Sequence, residues 1–361
     1  MVEHAHGENL LSLLPRPPHK VALLRASRLG DFLCTSPALR ALRHALPEAE
    51  LVMITLPALQ DAVVRSPYLD GFIAFPGYPG IAQQFFDPRR ALDFFRRMQR
   101  ERFDLAIQLQ GSGVYANPFT LMLGAASTAG FARPGDDTSL LDACLPWPDH
   151  GHEIRRLLGL VGFLGALPRG EEMTYPLFPS DRANAQALLA GLPQPIIGLH
   201  PGSHDPRRRW PLERFVEVAR TLHRRYGGSI VLLGGATVSE EAAVLEARIP
   251  GCRNLVGRTA LGPFGAALTR LALFITNDSG PAHVAYALRA PTITLYRAGG
   301  RERYGPLAEG PFAPLEPADA GADALVSVDQ ALQAADTLLA DATGKERIPC
   351  GETSEALRYA R

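Results

Sequence analysis

Residues 276–283, Thr-Asn-Asp-Ser-Gly-Pro-Ala-His, could bind an anion at the start of a helix. A strand-like apolar run, residues 271–275, precedes them, and an apolar helix is predicted after them. Pro281 suits a first helical position, because its missing N–H would be unpaired there anyway. Gly280 then falls at the N-cap, and free N–H groups face whatever lies ahead of the helix, which favours phosphate. An ordinary capped turn is the alternative, but it does not account for Asp278 and His283 at the same turn.

A second loop, residues 200–211, carries three consecutive arginines between Gly-Pro-rich flanks and directly follows a predicted strand. Arg207, Arg208 and Arg209 could make several charge-assisted hydrogen bonds to a diphosphate. A solvated charge run is the alternative, and the flanking Pro-Gly and Trp-Pro pairs argue against it.

Two more loops contain groups that could do chemistry. Asp31 stands near the start of a predicted helix, where the helix dipole stabilises its charge. It could cap that helix, or it could take a proton from a hydroxyl as a general base. The glycine pair at 234–235 permits close approach of a ligand to the backbone, and Glu240 and Glu241 could accept ribose hydroxyls. The alternative for the two acids is the first turn of a helix that Ser239 caps.

Strands and helices alternate along the chain, which predicts an α/β fold with parallel sheets. We expect strands at 20–24, 50–56, 71–75, 104–109, 196–199, 229–233, 271–275 and 292–296. A proline-rich stretch, residues 168–195, is the best candidate for a linker. The predicted organisation is a flexible tail at 1–18, a Rossmann-like domain at 19–175, a second at 176–343 and a loose tail at 344–361, with a cleft between the domains.

The composition excludes several classes of protein. Lys+Arg and Asp+Glu are balanced at 37 each, so bulk charge gives no reason to expect nucleic acid as a partner. The four cysteines are far apart and have no C-x-x-C pairing, which predicts reduced thiols in a cytoplasmic protein. The most apolar segment, residues 157–167, is shorter than a membrane span. We therefore expect a soluble protein, or one that is peripheral to a membrane.

A predicted helix at residues 87–101 carries five arginines beside two phenylalanines and a methionine. A solvated basic face over a core of aromatic residues is the first interpretation. The second is a surface that meets anionic lipid head groups or an acidic acceptor.

Several familiar motifs are missing from the sequence. It contains no G-x-G-x-x-G after the first strand, no G-x-x-x-x-G-K-[ST], no G-x-S-x-G and no H-E-x-x-H. It also has no Asp-x-Asp pair, which argues against a metal-clamped sugar-nucleotide site. We therefore predict no metal site and no obligatory cofactor.

Three motifs in this order resemble those of glycosyltransferase family 9, the lipopolysaccharide heptosyltransferase family. They lie at residues 24–42 (around Leu-Gly-Asp), at 200–211 (His-Pro-Gly-Ser and Arg-Arg-Trp-Pro) and at 277–285 (Asn-Asp-Ser-Gly-Pro-Ala-His). The resemblance covers about residues 20 to 300. It implies a GT-B fold, in which two Rossmann-like domains face an interdomain cleft, with the acceptor bound by the first domain and an ADP-sugar donor by the second.

The resemblance also implies roles for individual residues. Asp31 would be the general base, and Glu240 or Glu241 would meet the adenosine. The diphosphate and sugar would be held by Ser203, Arg208, Arg209, Asp278, Ser279, Gly280 and His283. Arg208 departs from the lysine that is common in the family, which changes the geometry of the charge. Residues 57–150 match no motif, so the acceptor stays open.

The predicted function is inverting transfer of a sugar, a heptose by the resemblance, from an ADP-sugar to a saccharide hydroxyl of the lipopolysaccharide core. The ADP-sugar is a co-substrate, the acceptor an anionic glycolipid or oligosaccharide, and the location the cytoplasm, including the cytoplasmic face of the inner membrane. One alternative is a family member that transfers a non-heptose sugar in other polysaccharide or glycoconjugate synthesis. A non-hydrolysing epimerase of similar architecture is less favoured, because its acid/base set is not recognisable. The non-enzyme alternative is a degenerate nucleotide-sugar-binding regulatory protein, against which Asp31 argues.

Overall fold

A computed structural model of the chain describes residues 9–81, 84–136, 140–297, 300–318 and 324–344. The chain divides between Met173 and Thr174 into two compact units, which we call the N-terminal and the C-terminal domain. Each domain contains a parallel six-stranded sheet flanked by helices. Strands and helices alternate along the chain in both domains, as the sequence predicted.

The N-terminal sheet has the strand order β3-β2-β1-β4-β5-β6. Its strands are β1 Lys20–Leu24, β2 Glu50–Thr55, β3 Gly71–Ala74, β4 Leu105–Gln108, β5 Ser127–Ala132 and β6 Ala143–Pro146. Its helices are α1 Leu10–Leu13, α2 Leu29–Ala45, α3 Gln60–Arg65, α4 Pro88–Glu101, α5 Ala116–Met122 and α6 Glu153–Leu164, with a 3₁₀ turn at Pro57–Leu59. The strand order reverses between β1 and β4, so the carboxyl ends of these two strands mark the crevice where an open α/β sheet binds ligands.

The C-terminal sheet has the order β12-β11-β10-β7-β8-β9. Its strands are β7 Ile196–His200, β8 Ser229–Leu232, β9 Arg253–Asn254, β10 Leu273–Asn277, β11 Thr292–Leu295 and β12 Phe312–Leu315. Its helices are α7 Pro179–Leu188, α8 Leu212–Tyr226, α9 Ser239–Arg248, α10 Leu261–Leu268, α11 Gly280–Ala287, α12 Arg301–Tyr304 and α13 Val328–Gly344, with 3₁₀ turns at Pro206–Arg208 and Ala236–Val238. The order reverses between β7 and β10, so the arginine loop and the Asp278 turn lie on the two sides of this crevice.

Each domain has its own apolar core. In the N-terminal domain Phe94, Phe95 and Met98 of α4 pack with Leu24 and Ile54 of the sheet. In the C-terminal domain α8, α9 and α13 cover the sheet, and Trp210 is buried among them. Helix α8 owes this packing to apolar residues at helical spacing, such as Phe215, Val218 and Leu222.

The structure differs from the sequence predictions in several places. The segment at 1–18, predicted as a flexible tail, contains α1. Asn9, which precedes α1, lies so close to Gly165 (φ +110°), the residue that ends α6, that a Cβ on this glycine would clash with it. Residues 1–8 and 345–361 lie outside the described residues. Strands β5, β6, β9 and β12 were missed, because they are short and poor in the β-branched runs that mark a strand. Strand β10 runs to Asn277, two residues beyond its predicted end.

Candidate active site

The turn between β10 and α11 forms the helix start that the sequence predicted, with a shift of one residue. Ser279 is the N-cap, Gly280 is the first helical residue and Pro281 the second, so Gly280 is not the cap. The Ser279 hydroxyl donates to the Asn277 carbonyl at 3.1 Å and therefore does not cap the helix itself. No side chain caps the first turn of α11. Pro281 has no N–H, however, and the Ala282 N–H, one of those expected to be free, donates to the Ser279 carbonyl at 3.0 Å. Fewer backbone donors therefore remain for an anion than the sequence predicted.

Asn277 ties this turn to the arginine loop. Its side-chain oxygen accepts from the Trp210 N–H at 2.9 Å, and its amide donates to the Pro201 carbonyl at 2.6 Å. Asn277 is fully buried, as is the Trp210 ring, whose indole N–H donates to the Val326 carbonyl at 2.9 Å. The sequence motif contained Asn277, but its role in holding the two loops together depends on contacts across the crevice.

Asp278 and Arg208, both predicted site residues, form an ion pair of 2.9 Å. The side chain of Asp278 is 4% exposed and that of Arg208 is 42% exposed. The Ser203 hydroxyl donates to the Asp278 carbonyl at 3.3 Å, which brings a third predicted residue to the same place. Gly300 is also adjacent, since a Cβ there would lie 2.8 Å from the Asp278 carboxylate. Asp278 thus fixes the direction of Arg208, while the guanidinium keeps an exposed side that a ligand can reach.

His283 is buried on α11 with one ring nitrogen available. Its Nδ1 lies 3.1 Å from the Ser279 carbonyl, and because a carbonyl can only accept, Nδ1 carries the proton. Within the part of the chain that the structure describes, Nε2 is buried and has no hydrogen-bond partner. A buried polar atom without a partner costs free energy, so this nitrogen indicates a ligand group that it would bind.

Tyr304 is a site residue that the sequence analysis missed. Its ring centroid lies 5.9 Å from that of His283, and the Arg208 guanidinium lies 5.8 Å from it. It belongs to α12, a single helical turn after β11, and nothing in its local sequence distinguishes it from other tyrosines. Only the fold brings it between these two side chains.

The three arginines of the loop have different partners. Arg207 is 89% exposed and pairs with Asp205 at 2.7 Å, and these hydrogen bonds lower the pKa of Asp205 to about 2. Arg209 donates to the Ser203 carbonyl at 2.8 Å and to Glu241 at 2.7 Å. Of the three, Arg208 is the one that reaches the Asp278 turn.

The two glycines of the loop after β8 differ in the space around them: Gly234 is closely packed, and Gly235 is not. At Gly234 (φ +151°) a Cβ would lie 2.7 Å from His200 Nδ1, so the chain passes directly against that ring. Gly235 has open space around its Cβ position. Glu241 lies in the first turn of α9 and is paired with Arg209, whereas Glu240 is exposed beside it. The role of both acids toward adenosine stays a prediction.

Asp31 lies in the first turn of α2, after β1 and at the crevice of the N-terminal sheet. Gly30, directly before it, is a buried residue of the same helix. The Asp31 carboxylate is 26% exposed and lies 3.5 Å from Nη2 of Arg25. The same Nη2 donates to the buried Glu153 at 2.7 Å. Arg25 and Glu153 were not predicted as site residues, and Glu153 comes from α6, far away in sequence.

Two further observations bear on what the molecule can bind. In the described ranges, no group of three or more His, Cys, Asp and Glu side chains is placed to hold a metal ion. None of the helices in that part of the chain is both long and apolar enough to cross a membrane.

Two Rossmann-like domains, each with its polar loops at the carboxyl edge of a parallel sheet, are the architecture of GT-B glycosyltransferases. Residues 91–312 match the family model of glycosyltransferase family 9 (heptosyltransferase). The chain belongs to this family.

Relatives and solved structures agree with that assignment. The chain is 34% identical to lipooligosaccharide heptosyltransferase 2 of Haemophilus influenzae over 80% of its own length and 86% of the relative's. A glycosyltransferase family 9 structure from Veillonella parvula has a TM-score of 0.76 and 24% identity, covering 90% of this chain and 98% of the other. The structure of E. coli ADP-heptose LPS heptosyltransferase II has a TM-score of 0.74 and 21% identity, with coverage of 90% and 100%. The two structures establish the fold.

Proposed function

We propose that this glycosyltransferase moves a heptose from ADP-heptose to a saccharide hydroxyl of the lipopolysaccharide core, with inversion at the sugar carbon. The sugar and the acceptor are suggested by the family and by the relatives, which are named as lipopolysaccharide or lipooligosaccharide heptosyltransferases. The observation that carries the donor side is the buried, unpartnered Nε2 of His283 beside the uncapped start of α11 and the Arg208–Asp278 pair.

In this proposal the C-terminal domain binds the diphosphate of the donor. Backbone N–H groups at the start of α11 and the exposed side of the Arg208 guanidinium contact the phosphate oxygens. His283 Nε2, which is buried and has no partner among the described residues, forms a hydrogen bond with a sugar hydroxyl. Ser203 and Asp278 hold these groups in place, and Glu240 or Glu241 would meet the adenosine through its ribose hydroxyls.

The proposed chemistry is a single displacement. The acceptor oxygen forms a bond to the anomeric carbon as the bond from that carbon to the diphosphate breaks, through an oxocarbenium-like state. The acceptor proton passes to the carboxylate of Asp31, and ADP leaves with the electron pair. Arg208 and the helix N–H groups stabilise the charge that develops on the leaving diphosphate, so the proposal needs no divalent ion at this step.

Nucleotide binding and turnover test the two halves of the proposal separately. Thermal-shift measurements with ADP, UDP, GDP and their sugars should show stabilisation by the adenine nucleotides. Asp31→Ala should lower turnover by about 10²–10⁴-fold, the usual contribution of a general base, and leave the ADP shift intact. The control is Asp61→Ala, which removes an exposed carboxylate from α3 in the same domain.

Each possible failure has a specific meaning. Stabilisation by UDP or GDP but not ADP would contradict the ADP-heptose donor and favour the non-heptose alternative. Near-native turnover of Asp31→Ala would contradict the base assignment. ADP binding with no detectable transfer to any core acceptor would favour the regulatory alternative.

A further inference from the structure

Helix α4 has one face in the protein core and an opposite face in solvent. Ala91, Phe94, Phe95 and Met98 are buried in the apolar core of the N-terminal domain. The outer face carries five exposed arginines, which we call the arginine face: Arg89, Arg90, Arg96, Arg97 and Arg100. The helix is therefore anchored by its apolar side and cannot turn that side toward a partner.

The charge of this face is strongly one-sided. The two acidic residues of α4 are Asp93, which lies 3.5 Å from Arg96, and the last residue, Glu101, which pairs with Lys20 at 2.8 Å. Five arginines against one aspartate and one glutamate give α4 a net positive charge in a chain whose total formal charge is zero. Such a local excess creates a potential that attracts anionic surfaces.

Large apolar side chains are exposed beside the arginines. Leu92 is 51% exposed and lies one helical turn from both Arg89 and Arg96. Phe85, just before the helix, is 88% exposed, and Phe86 is 37% exposed. Exposed apolar side chains that are grouped in this way, rather than scattered singly, are typical of contact sites.

A third exposed aromatic residue, Tyr115, lies against the loop at 77–81, which also contacts Phe85. The loop at 77–81 packs against Phe85 at one end, where a Cβ on Gly77 would lie 2.5 Å from the Phe85 carbonyl. At its other end a Cβ on Gly80 would lie 2.3 Å from the ring of Tyr115, which is 52% exposed. Phe85, Phe86 and Tyr115 therefore form an aromatic rim around one loop.

This rim lies at the same edge of the N-terminal sheet as Asp31. All the strands of the sheet are parallel, so the segments that follow β1, β3 and β4 emerge at one edge. Asp31 follows β1, Phe85 and the start of α4 follow β3, and Tyr115 follows β4. A surface that contacts this rim would meet the edge where the proposed base lies.

We propose that the arginine face of α4 and the aromatic rim form a docking surface for an anionic lipid bilayer. Arginines near such a surface contact lipid phosphates, and each contributes about 1 kcal/mol of attraction. Phe85 and Leu92 enter the boundary between head groups and acyl chains, where aromatic and aliphatic side chains gain burial. The mixture of arginines with exposed apolar groups fits a lipid surface better than it fits a saccharide, which offers no apolar phase.

Vesicle binding tests this proposal without a donor or an acceptor, so its outcome is independent of the proposed reaction. The full-length protein is mixed with vesicles of phosphatidylcholine alone or with added phosphatidylglycerol, and the bound fraction is measured by flotation. We expect binding only to the anionic vesicles, and we expect salt to weaken it. The quadruple variant R89S/R90S/R97S/R100S should lose at least about tenfold in partition coefficient. Phe85→Ser, at an exposed position, should lose about threefold or more.

A matched control removes the same number of charges elsewhere. The variant R169S/R182S/R224S/R270S changes four exposed arginines outside α4 and should bind within about twofold of the wild type. Equal binding to neutral and anionic vesicles, or equal losses in both quadruple variants, would overturn the proposal. The proposal would also be overturned if the wild-type protein did not bind anionic vesicles. If, in that case, the α4 variant raised KM for a lipid-free acceptor fragment, the arginine face would bind saccharide instead.

Discussion

Arg208 is held by two neighbours of different chemistry, the carboxylate of Asp278 at 2.9 Å and the ring of Tyr304 at 5.8 Å. The ion pair alone would leave a partly exposed guanidinium free to rotate about the carboxylate. A ring on a second side restricts that rotation, and a planar guanidinium stacks on an aromatic face. The same ring also contacts His283, so Tyr304 positions both proposed diphosphate and sugar ligands.

Replacing Tyr304 should therefore weaken the donor site without removing any group that touches the donor. Tyr304→Leu removes a cation–π contact and an aromatic pair, together about 1–2 kcal/mol, which corresponds to about a five- to thirtyfold rise in donor KM. Tyr304→Phe keeps the ring and should stay close to wild type. Steady-state kinetics with varied donor, at saturating acceptor, separate KM from kcat.

The outcome distinguishes a positioning role from general damage to the fold. Equal losses in the Leu and Phe variants would show that the ring itself is not what matters. A fall in kcat with unchanged donor KM would place Tyr304 in another step.

A buried arginine, Arg25, connects several strands and helices of the N-terminal domain next to Asp31. Arg25 follows β1, Glu153 begins α6, and their side chains are 3% and 1% exposed and meet at 2.7 Å. Arg25 also donates to the Leu109 carbonyl at the end of β4, at 2.5 Å, and approaches Asp31 on α2. One guanidinium thus connects two strand ends and two helix starts at the crevice.

Breaking this pair should cost far more than breaking an exposed pair on the same helix. Glu153→Ala leaves a buried guanidinium without its closest carboxylate, which typically costs about 3–5 kcal/mol of unfolding free energy. Urea titration measures that loss. The control is Glu171→Ala, whose partner Arg155 on α6 is 63% exposed, and its loss should be much smaller. Losses of similar size in the two variants would show that the buried network does not hold these elements together.

At the scale of the whole molecule, each domain brings its chemistry-bearing loops to the point where its strand order reverses. In the C-terminal domain His200 joins two of these loops, because its Nδ1 donates to the Leu233 carbonyl at 2.9 Å. Burial lowers the pKa of His200 below its usual value of 6.5, although the hydrogen bond to Leu233 partly offsets this. The folded domain therefore holds this imidazole neutral.

This buried histidine predicts how stability depends on pH. Between the lowered pKa of the folded state and about 6.5, the unfolded chain binds the extra proton, so the free energy of unfolding falls as pH drops through that window. His200→Asn can keep the hydrogen bond to Leu233 and should flatten the decline. Trp210 reports on the C-terminal domain, so urea unfolding is followed by fluorescence in a Trp147→Phe background, in which Trp210 is the only tryptophan. The control is His44→Asn on α2, in which the free energy of unfolding should fall with pH as it does in the wild type. The same fall in His200→Asn would contradict the prediction.

The sequence by itself determined the parallel α/β class and the loops that carry Asp31, the arginines and the Asp278 turn. These follow from local patterns, because an apolar run, a glycine or proline and a polar group lie next to one another in the chain. The division after Met173 falls inside the proline-rich stretch at 168–195, which also contains α7.

The tertiary structure decided which groups act together. It selected Arg208 from three adjacent arginines by pairing it with Asp278, 70 residues away in sequence. It also placed Glu153 against Arg25 across 128 residues, brought Tyr304 to His283 and left Nε2 of that histidine buried without a partner among the described residues. Local patterns could not reveal these contacts, because strand order and helix packing bring together residues that have no local relation in the chain.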